Sequence, residues 1–390
     1  MYNKADYESG DMMKGKTIKV IIGFVAVVMV IGVAGYYTIT KLFPPIPKID
    51  KDEMNMLLDN DDDYCYFYEG LDNEKEQIIY KMIFFGVSHY YEKIAIDDSN
   101  VDQVQAILVD VIYDHPELYY VNSAFQYQDY GNYISFIPTY DYTQAEVEKI
   151  DNQIQENTKS ILETASQQTT SLSKAKVIYD YVVEKNEYVA GKNDQNITSS
   201  LVSGKTVCAG YARAYQYLMN RAGEKCAYIV GTANESNLQT QTGDGHAWAM
   251  LNIEDDYYYC DPTWGDYIEK GYQHTCYGYF MMNSDDMLSC YTPEGKYEKT
   301  KGQTLNYFKD QGSYMTSYSK SIMSNAIKIG LNNKTRVAEI KCANKSVYET
   351  VKKKLESNYL GYEVLSENHC YSEKCQYAYD DKLMLIELYY

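Results

Sequence analysis

Between Lys19 and Lys41 the chain runs through Val20–Thr40, 21 residues, without a single charge. A backbone in hydrocarbon must satisfy its own hydrogen bonds, so a run of this kind is read as one helix. At about 1.5 Å per residue it spans roughly 30 Å, the thickness of a bilayer core. It is longer than the apolar region of a cleaved signal peptide, about 7–15 residues, although Ala34-Gly35 resembles a cleavage site. The expected order is a tail at 1–17, a transmembrane helix at 18–42 and a linker at 43–63. Lys4, Lys14, Lys16 and Lys19 precede the span and Lys41, Lys48 and Lys51 follow it, a small bias toward a cytoplasmic N-terminus. The expectation is a single-pass membrane protein with its large C-terminal part outside the cell. Phe43-Pro44-Pro45-Ile46-Pro47 reads as a stiff spacer. The aspartates of 59–63 lack the glycine and distant glutamate of a calcium loop and read as solvated linker.

The rest of the chain has the composition of a folded protein, since 45% of the 390 residues are hydrophobic and 23% charged. Thirty-six basic residues against 55 acidic ones leave a net charge of −19, a field that repels phosphate and argues against nucleic acid as a partner. Forty-five tyrosines against 9 phenylalanines fit either a tyrosine-filled core or an amphipathic binding surface. The nine cysteines are irregularly spaced without a CxxC pair, and their odd number leaves one unpaired even under oxidising conditions. His274-Thr275-Cys276 and His369-Cys370 bring metal-binding side-chain types together, but they read as ordinary core or surface residues. No metal and no cofactor are expected.

Three segments organise the part beyond the linker. Helical periodicity over Asn73–Tyr91 and Val101–Tyr113, then strand-like runs Leu118–Tyr127 and Tyr133–Tyr140, predict an α/β module at 64–142. A capping box at Thr143 and Glu146 starts a long helix through Ala165, and Leu172–Glu187 predicts another. Residues 190–203 read as a loop. In the C-terminal hundred residues, helices near Ser319–Ile329 and Ser346–Leu355 and strands at Val337–Cys342 and Leu383–Tyr389 predict a second small α/β module, 293–390.

The chemistry is concentrated at 143–292. Tyr211, Tyr215, Leu218 and Ala222 recur at helical spacing after Cys208, Gly223 fits the helix stop, and Thr206 is the expected N-cap. Cys208 thus falls in the first turn, where free N–H groups and the helix dipole favour negative charge. The thiolate is the nucleophilic form of cysteine. Downstream, Gly245–Ile253 alternates cleanly, with His246, Trp248, Met250 and Asn252 on one face, and Tyr257–Asp261 completes a hairpin. A two-residue turn at Glu254-Asp255 pairs Ile253 with Asp256. In that register His246 and Asp261 share a face as diagonal neighbours, about 7–8 Å apart at Cα. Nucleophile, base and orienting acid are then all available: Cys208 to attack an acyl carbon, His246 to carry the proton, Asp261 to hold the imidazole. The Cys208 amide is a candidate oxyanion donor, and Tyr188, Asn193 and Gln195 lie upstream as candidates for a second.

The blocks Gly204-Lys205-Thr206-Val207-Cys208-Ala209-Gly210-Tyr211-Ala212, Gly245-His246-Ala247-Trp248 and Asp261-Pro262-Thr263-Trp264-Gly265-Asp266 resemble the transglutaminase-like superfamily in order and spacing. The resemblance covers about Leu172 to Asn283. It implies an α+β fold with a papain-like core, with Cys208 as nucleophile, His246 as base, Asp261 as orienter, and Trp248 and Trp264 lining a substrate cleft. Ala249 stands where the family commonly has Asn, on the face turned from the triad. The family cross-links, hydrolyses or deamidates protein substrates, or serves as an inactive scaffold. The expected function is a membrane-anchored thiol enzyme performing acyl transfer or amide hydrolysis on extracellular protein or cell-wall peptide. The alternative is an inactive scaffold or cell-surface binding module. The sequence does not specify an oligomeric state.

Overall fold

The computed structural model describes residues 64–390, apart from 99, 132, 235–244, 268–273, 303–304, 358 and 373. The transmembrane helix expected at 18–42 and the linker at 43–63 lie outside the described residues. No helix among the described residues is long and apolar enough to cross a membrane. The chain divides into two compact units; of the described residues the first comprises Asn73–Val109 and Val121–Tyr140, and the second 64–72, Asp110–Tyr120 and Asp141–Tyr390.

In the first unit, helix α1 (Glu74–Ser88) starts where the Asn73 side chain accepts the Glu76 amide, and it buries Ile79, Ile83 and Val87 at helical spacing. Strand β1 (Ile94–Ile96) follows. Helix α2 (Val101–Asp114) begins in this unit and buries Val104, Ile107 and Leu108. Strands β2 (Val121–Asp129) and β3 (Ile134–Tyr140) complete an antiparallel sheet of order β1-β3-β2. The expected helices and the two strands are present; the strand β1 had no readable signal, because three residues are too few to show a period.

The second unit begins its main run with α3 (Gln144–Ser166), whose capping box pairs the Thr143 amide with Glu146 Oε2 at 2.8 Å. Helix α4 (Ser171–Lys185) follows, then α5 (Cys208–Arg221). A four-stranded antiparallel sheet lies against α5: β4 (Lys225–Ala233), β5 (Gly245–Ile253), β6 (Asp256–Cys260) and β7 (Tyr291–Pro293), in the order β6-β5-β4-β7. The β5–β6 hairpin has the expected register, Ile253 opposite Asp256 and Ala249 opposite Cys260. Glu254 and Asp255 both adopt positive φ, 53° and 59°, as a type I′ turn requires.

A second sheet closes the chain. Strand β8 (Tyr314–Met315), helix α6 (Lys320–Asn332), strand β9 (Val337–Cys342), helices α7 (Lys345–Ser357) and α8 (Leu360–Glu367), and strands β10 (Gln376–Asp380) and β11 (Leu385–Tyr389) give the order β8-β9-β11-β10. Met323, Ile327, Ile340, Val351, Val364 and Ile386 form its core. This sheet belongs to the same unit as α3–α5. Side chains explain why: Glu339 of β9 accepts the Tyr277 amide at 2.9 Å, and Asp380 of β10 accepts the Tyr279 hydroxyl at 3.1 Å.

Tyrosine fills much of this interior. Tyr179, Tyr211, Tyr215, Tyr258, Tyr279 and Tyr291 are among the largest fully buried side chains. Their hydroxyls find partners, as burial of a phenol demands: Tyr211 donates to Asp266 at 2.7 Å, Tyr179 to the Asp261 carbonyl at 3.0 Å and Tyr215 to the Ala175 carbonyl at 3.2 Å. None of the nine cysteines, all of them described residues, is joined in a disulfide.

Candidate active site

Cys208 is the first residue of α5, as its place in the sequence suggested, but the helix start is built differently. Val207 occupies the N-cap position and offers no side-chain cap. Thr206 instead lies in the two-residue strand Lys205–Thr206, paired in parallel with Glu187–Tyr188, and its hydroxyl donates to the Asp194 carbonyl at 2.8 Å while meeting Ser199 Oγ at 2.7 Å. The correction has a simple cause: the helix starts at Cys208 itself, so the capping position falls on Val207 and Thr206 stands one residue too early. The Val207 amide also reaches the Asp194 carbonyl, at 3.2 Å, so the 190–195 loop crosses just ahead of the helix. Within the loop expected at 190–203, Ser199–Ser203 forms a π-helical turn.

The small residues after Cys208 permit close packing. Ala209 and Ala212 bury against Tyr228 and Ala247 of the sheet, with Cys208 partly buried beside them. A β-carbon on Gly210 would fall 1.8 Å from Thr206 Oγ1 and 2.8 Å from Ser199 Oγ, so only glycine allows the loop to reach this point.

His246 comes from the start of β5 and Asp261 from the end of β6, the diagonal pair that the register required. His246 Nε2 lies 2.7 Å from Asp261 Oδ2. Asp261 is fully buried and its oxygens are saturated: Oδ1 accepts the amides of Thr263 at 2.9 Å and Trp264 at 3.2 Å, and Oδ2 also accepts the Tyr291 hydroxyl at 2.5 Å. Burial alone would raise its pKa, but His246 and these donors hold it below the usual carboxylate range. Burial alone would lower the pKa of His246, but Asp261 and a hydrogen bond with Cys208 raise it to about 10. The imidazole thus stands between the sulfur and the carboxylate, with Nε2 turned to the acid.

Tyr291 escaped the sequence reading. Its ring stacks on His246 at 5.4 Å and on Trp248 at 4.6 Å, and its hydroxyl binds the orienting carboxylate. It sits in β7, whose three residues carry no legible period and whose pairing with β4 spans about sixty positions of sequence. Trp248 and Trp264, expected to line a substrate cleft, are buried instead, 0% and 5% exposed. Trp264 packs 5.4 Å from the His246 ring and 4.9 Å from Tyr291, so the two tryptophans form an apolar wall around the imidazole. Of the candidate second oxyanion donors, Asn193 donates its side-chain amide to Tyr142 at 2.8 Å, Tyr188 stacks on Tyr211 at 6.4 Å, and Gln195 is exposed.

A second thiol–imidazole–carboxylate line lies elsewhere in the same unit. Cys65 Sγ is 3.7 Å from His115 Nε2, and His115 Nδ1 is 2.9 Å from Glu117. Cys65 precedes a four-residue helix and is 5% exposed, whereas Cys208 heads a 14-residue helix and is only partly buried. Exposure and a full helix terminus both favour Cys208 as the reactive thiol.

Residues 158–262 match the family model described as the transglutaminase-like superfamily. These residues form a transglutaminase-like domain. The matched segment contains Cys208 and His246 and ends one residue beyond Asp261; β7 with Tyr291 lies outside it. No curated protein matches the chain. Among solved structures, a candidate cysteine protease from Cytophaga hutchinsonii is 15% identical, with 36% of this chain and 61% of that one covered and a TM-score of 0.25. A structure described as a TGase is 14% identical, with 44% and 51% covered and a TM-score of 0.26. The periplasmic domain of TgpA from Pseudomonas aeruginosa, bound to ethylmercury, is 15% identical, with 34% and 55% covered and a TM-score of 0.23. The chain thus spans about half to three-fifths of the length of these structures.

Proposed function

We propose that this transglutaminase-like protein is a thiol enzyme that transfers or hydrolyses acyl groups of protein or peptide amides, with Cys208 as nucleophile, His246 as general base and acid, and Asp261 as the residue that orients the imidazole. The observation that carries the proposal is the 2.7 Å His246–Asp261 bond beside a sulfur at the first turn of a long helix.

The steps follow from that geometry. The helix N-terminus and an imidazolium beside the sulfur both favour negative charge on Cys208. The thiolate attacks the carbonyl carbon, a C–S bond forms, and the Cys208 amide is the proposed donor to the developing oxyanion. His246 then delivers its proton to the nitrogen of the leaving amine as the C–N bond breaks. A primary amine resolves the thioester in transfer and water resolves it in hydrolysis; His246 takes the proton from either. Asp261 keeps Nε2 engaged, so that Nδ1 is the nitrogen available to the sulfur.

Full-length protein in detergent, kept reduced, tests this reading. A thiol-directed alkylator is expected to modify Cys208 faster than the other eight cysteines near neutral pH, and His246→Ala to slow that reaction. Incubation with a glutamine-containing protein and a labelled primary amine then separates transfer from hydrolysis, and His246→Ala should lower turnover by about 10²–10⁴-fold. Equal reactivity of all nine thiols would favour the inactive scaffold.

The site is proposed to work outside the cell, anchored through residues 18–42. Protease added to intact cells is expected to release the large domain; complete protection would reverse the orientation.

A further inference from the structure

Folding adds two glutamates to the His274-Thr275-Cys276 segment. Glu339 of β9 and Glu387 of β11 are directly opposed in the antiparallel ladder. Like charges at opposed positions destabilise a sheet, and burial makes the cost larger. Glu387 is only 4% exposed, as is His274, and His274 Nε2 stands 3.3 Å from Glu387 Oε1. One donor atom from each of His274, Glu339 and Glu387 lies within 4.8 Å of the other two. The fully buried Cys276 makes a side-chain hydrogen bond with Glu339, which puts a sulfur next to the three.

We propose that His274, Glu339 and Glu387, with Cys276 as a fourth ligand, form a structural site for a divalent transition-metal ion of the zinc class. Donors about 2.0–2.1 Å from a tetrahedral zinc stand roughly 3.3 Å from one another, so the observed spacing closes on an ion with modest side-chain movement. Imidazole and thiol beside carboxylate select against magnesium and calcium, which prefer oxygen alone. The outer groups are already arranged: the Tyr277 amide donates to Glu339 at 2.9 Å and the Tyr389 hydroxyl to Glu387 at 3.0 Å, fixing how each carboxylate points. Of the two lysines lining the adjoining cleft, Lys176 and Lys334, Lys176 is committed to Asp180 at 2.6 Å and to the Tyr277 hydroxyl at 2.8 Å. A cleft of about 400 Å³ lined by His274, Thr275 and Glu339 gives an ion its way in. Binding would release the Cys276 thiol proton to solvent and would tie the C-terminal sheet to the segment that leads from Asp261 to Tyr279.

The test uses full-length protein in detergent carrying Cys208→Ala, so that the Cys208–His246 pair does not compete for metal. After chelator stripping, titration with zinc chloride is expected to load about one ion per chain and to raise the thermal midpoint. The double variant Glu339→Gln/Glu387→Gln in the same background should bind zinc at least tenfold more weakly and lose the thermal shift, while His115→Ala should bind as the parent does. Should the double variant fail to fold, His274→Ala read by the same titration decides the matter. Cobalt(II) loading should give a thiolate charge-transfer band that Cys276→Ser removes. Unchanged zinc uptake in the glutamate and His274 variants, or no uptake by the parent, would overturn the site; a more stable glutamine variant would then favour two carboxyl groups sharing a proton.

Discussion

At the scale of single residues, the candidate site depends on how Asp261 is held. Four hydrogen bonds converge on it, and only the one from Tyr291 is made by a side chain other than the imidazole. Tyr291→Phe keeps the stacked ring and removes one bond to a buried charge, so it should cost about 1.5–3 kcal/mol in denaturant unfolding. It should also slow Cys208 alkylation less than His246→Ala does, because the imidazole retains its acid. The pH dependence of stability follows from the same pair. His246, raised to about 10, contributes stability that is fully present below its unfolded value near 6.5 and is lost as the pH rises through 10. Asp261, held low, contributes stability that is present above its unfolded value near 3.8 and is lost as the pH falls through its folded one. Denaturation midpoints should therefore decline above pH 6.5, and Asp261→Asn should flatten that decline.

At the scale of elements, much of the site was legible because its parts are periodic. The alternation of Gly245–Ile253 and the Glu254-Asp255 turn set the register that brings His246 to Asp261, and helical spacing placed Cys208 at the mouth of α5. What was not legible is non-local. Neighbours in sequence alone favour Thr206 as the helix cap, whereas its hydroxyl meets Asp194 and Ser199. The resemblance puts Trp248 and Trp264 in a substrate cleft, and only the distant strand β7 supplies the Tyr291 ring that packs against both. The contact at Gly210 makes this dependence testable. Gly210→Ala would drive a methyl group into Thr206 Oγ1, so the cap region must shift, at a cost of about 1–3 kcal/mol. Slower alkylation of Cys208 together with a lower thermal midpoint is the expected result.

At the scale of the whole molecule, the uncharged stretch Val20–Thr40 is the sequence feature behind the proposed membrane anchor. Tyrosine's abundance finds its explanation in the interior, where phenols fill space that phenylalanine would fill and also satisfy buried carbonyls and carboxylates. One consequence of β7 concerns where the protein can be cut. Residues 158–262 hold thiol, imidazole and carboxylate, yet a fragment ending there would leave the outer edge of β4 without its neighbour and the acid short of a phenol. A fragment meant to test the proposed reaction therefore has to include β7 through Pro293, well beyond the matched stretch.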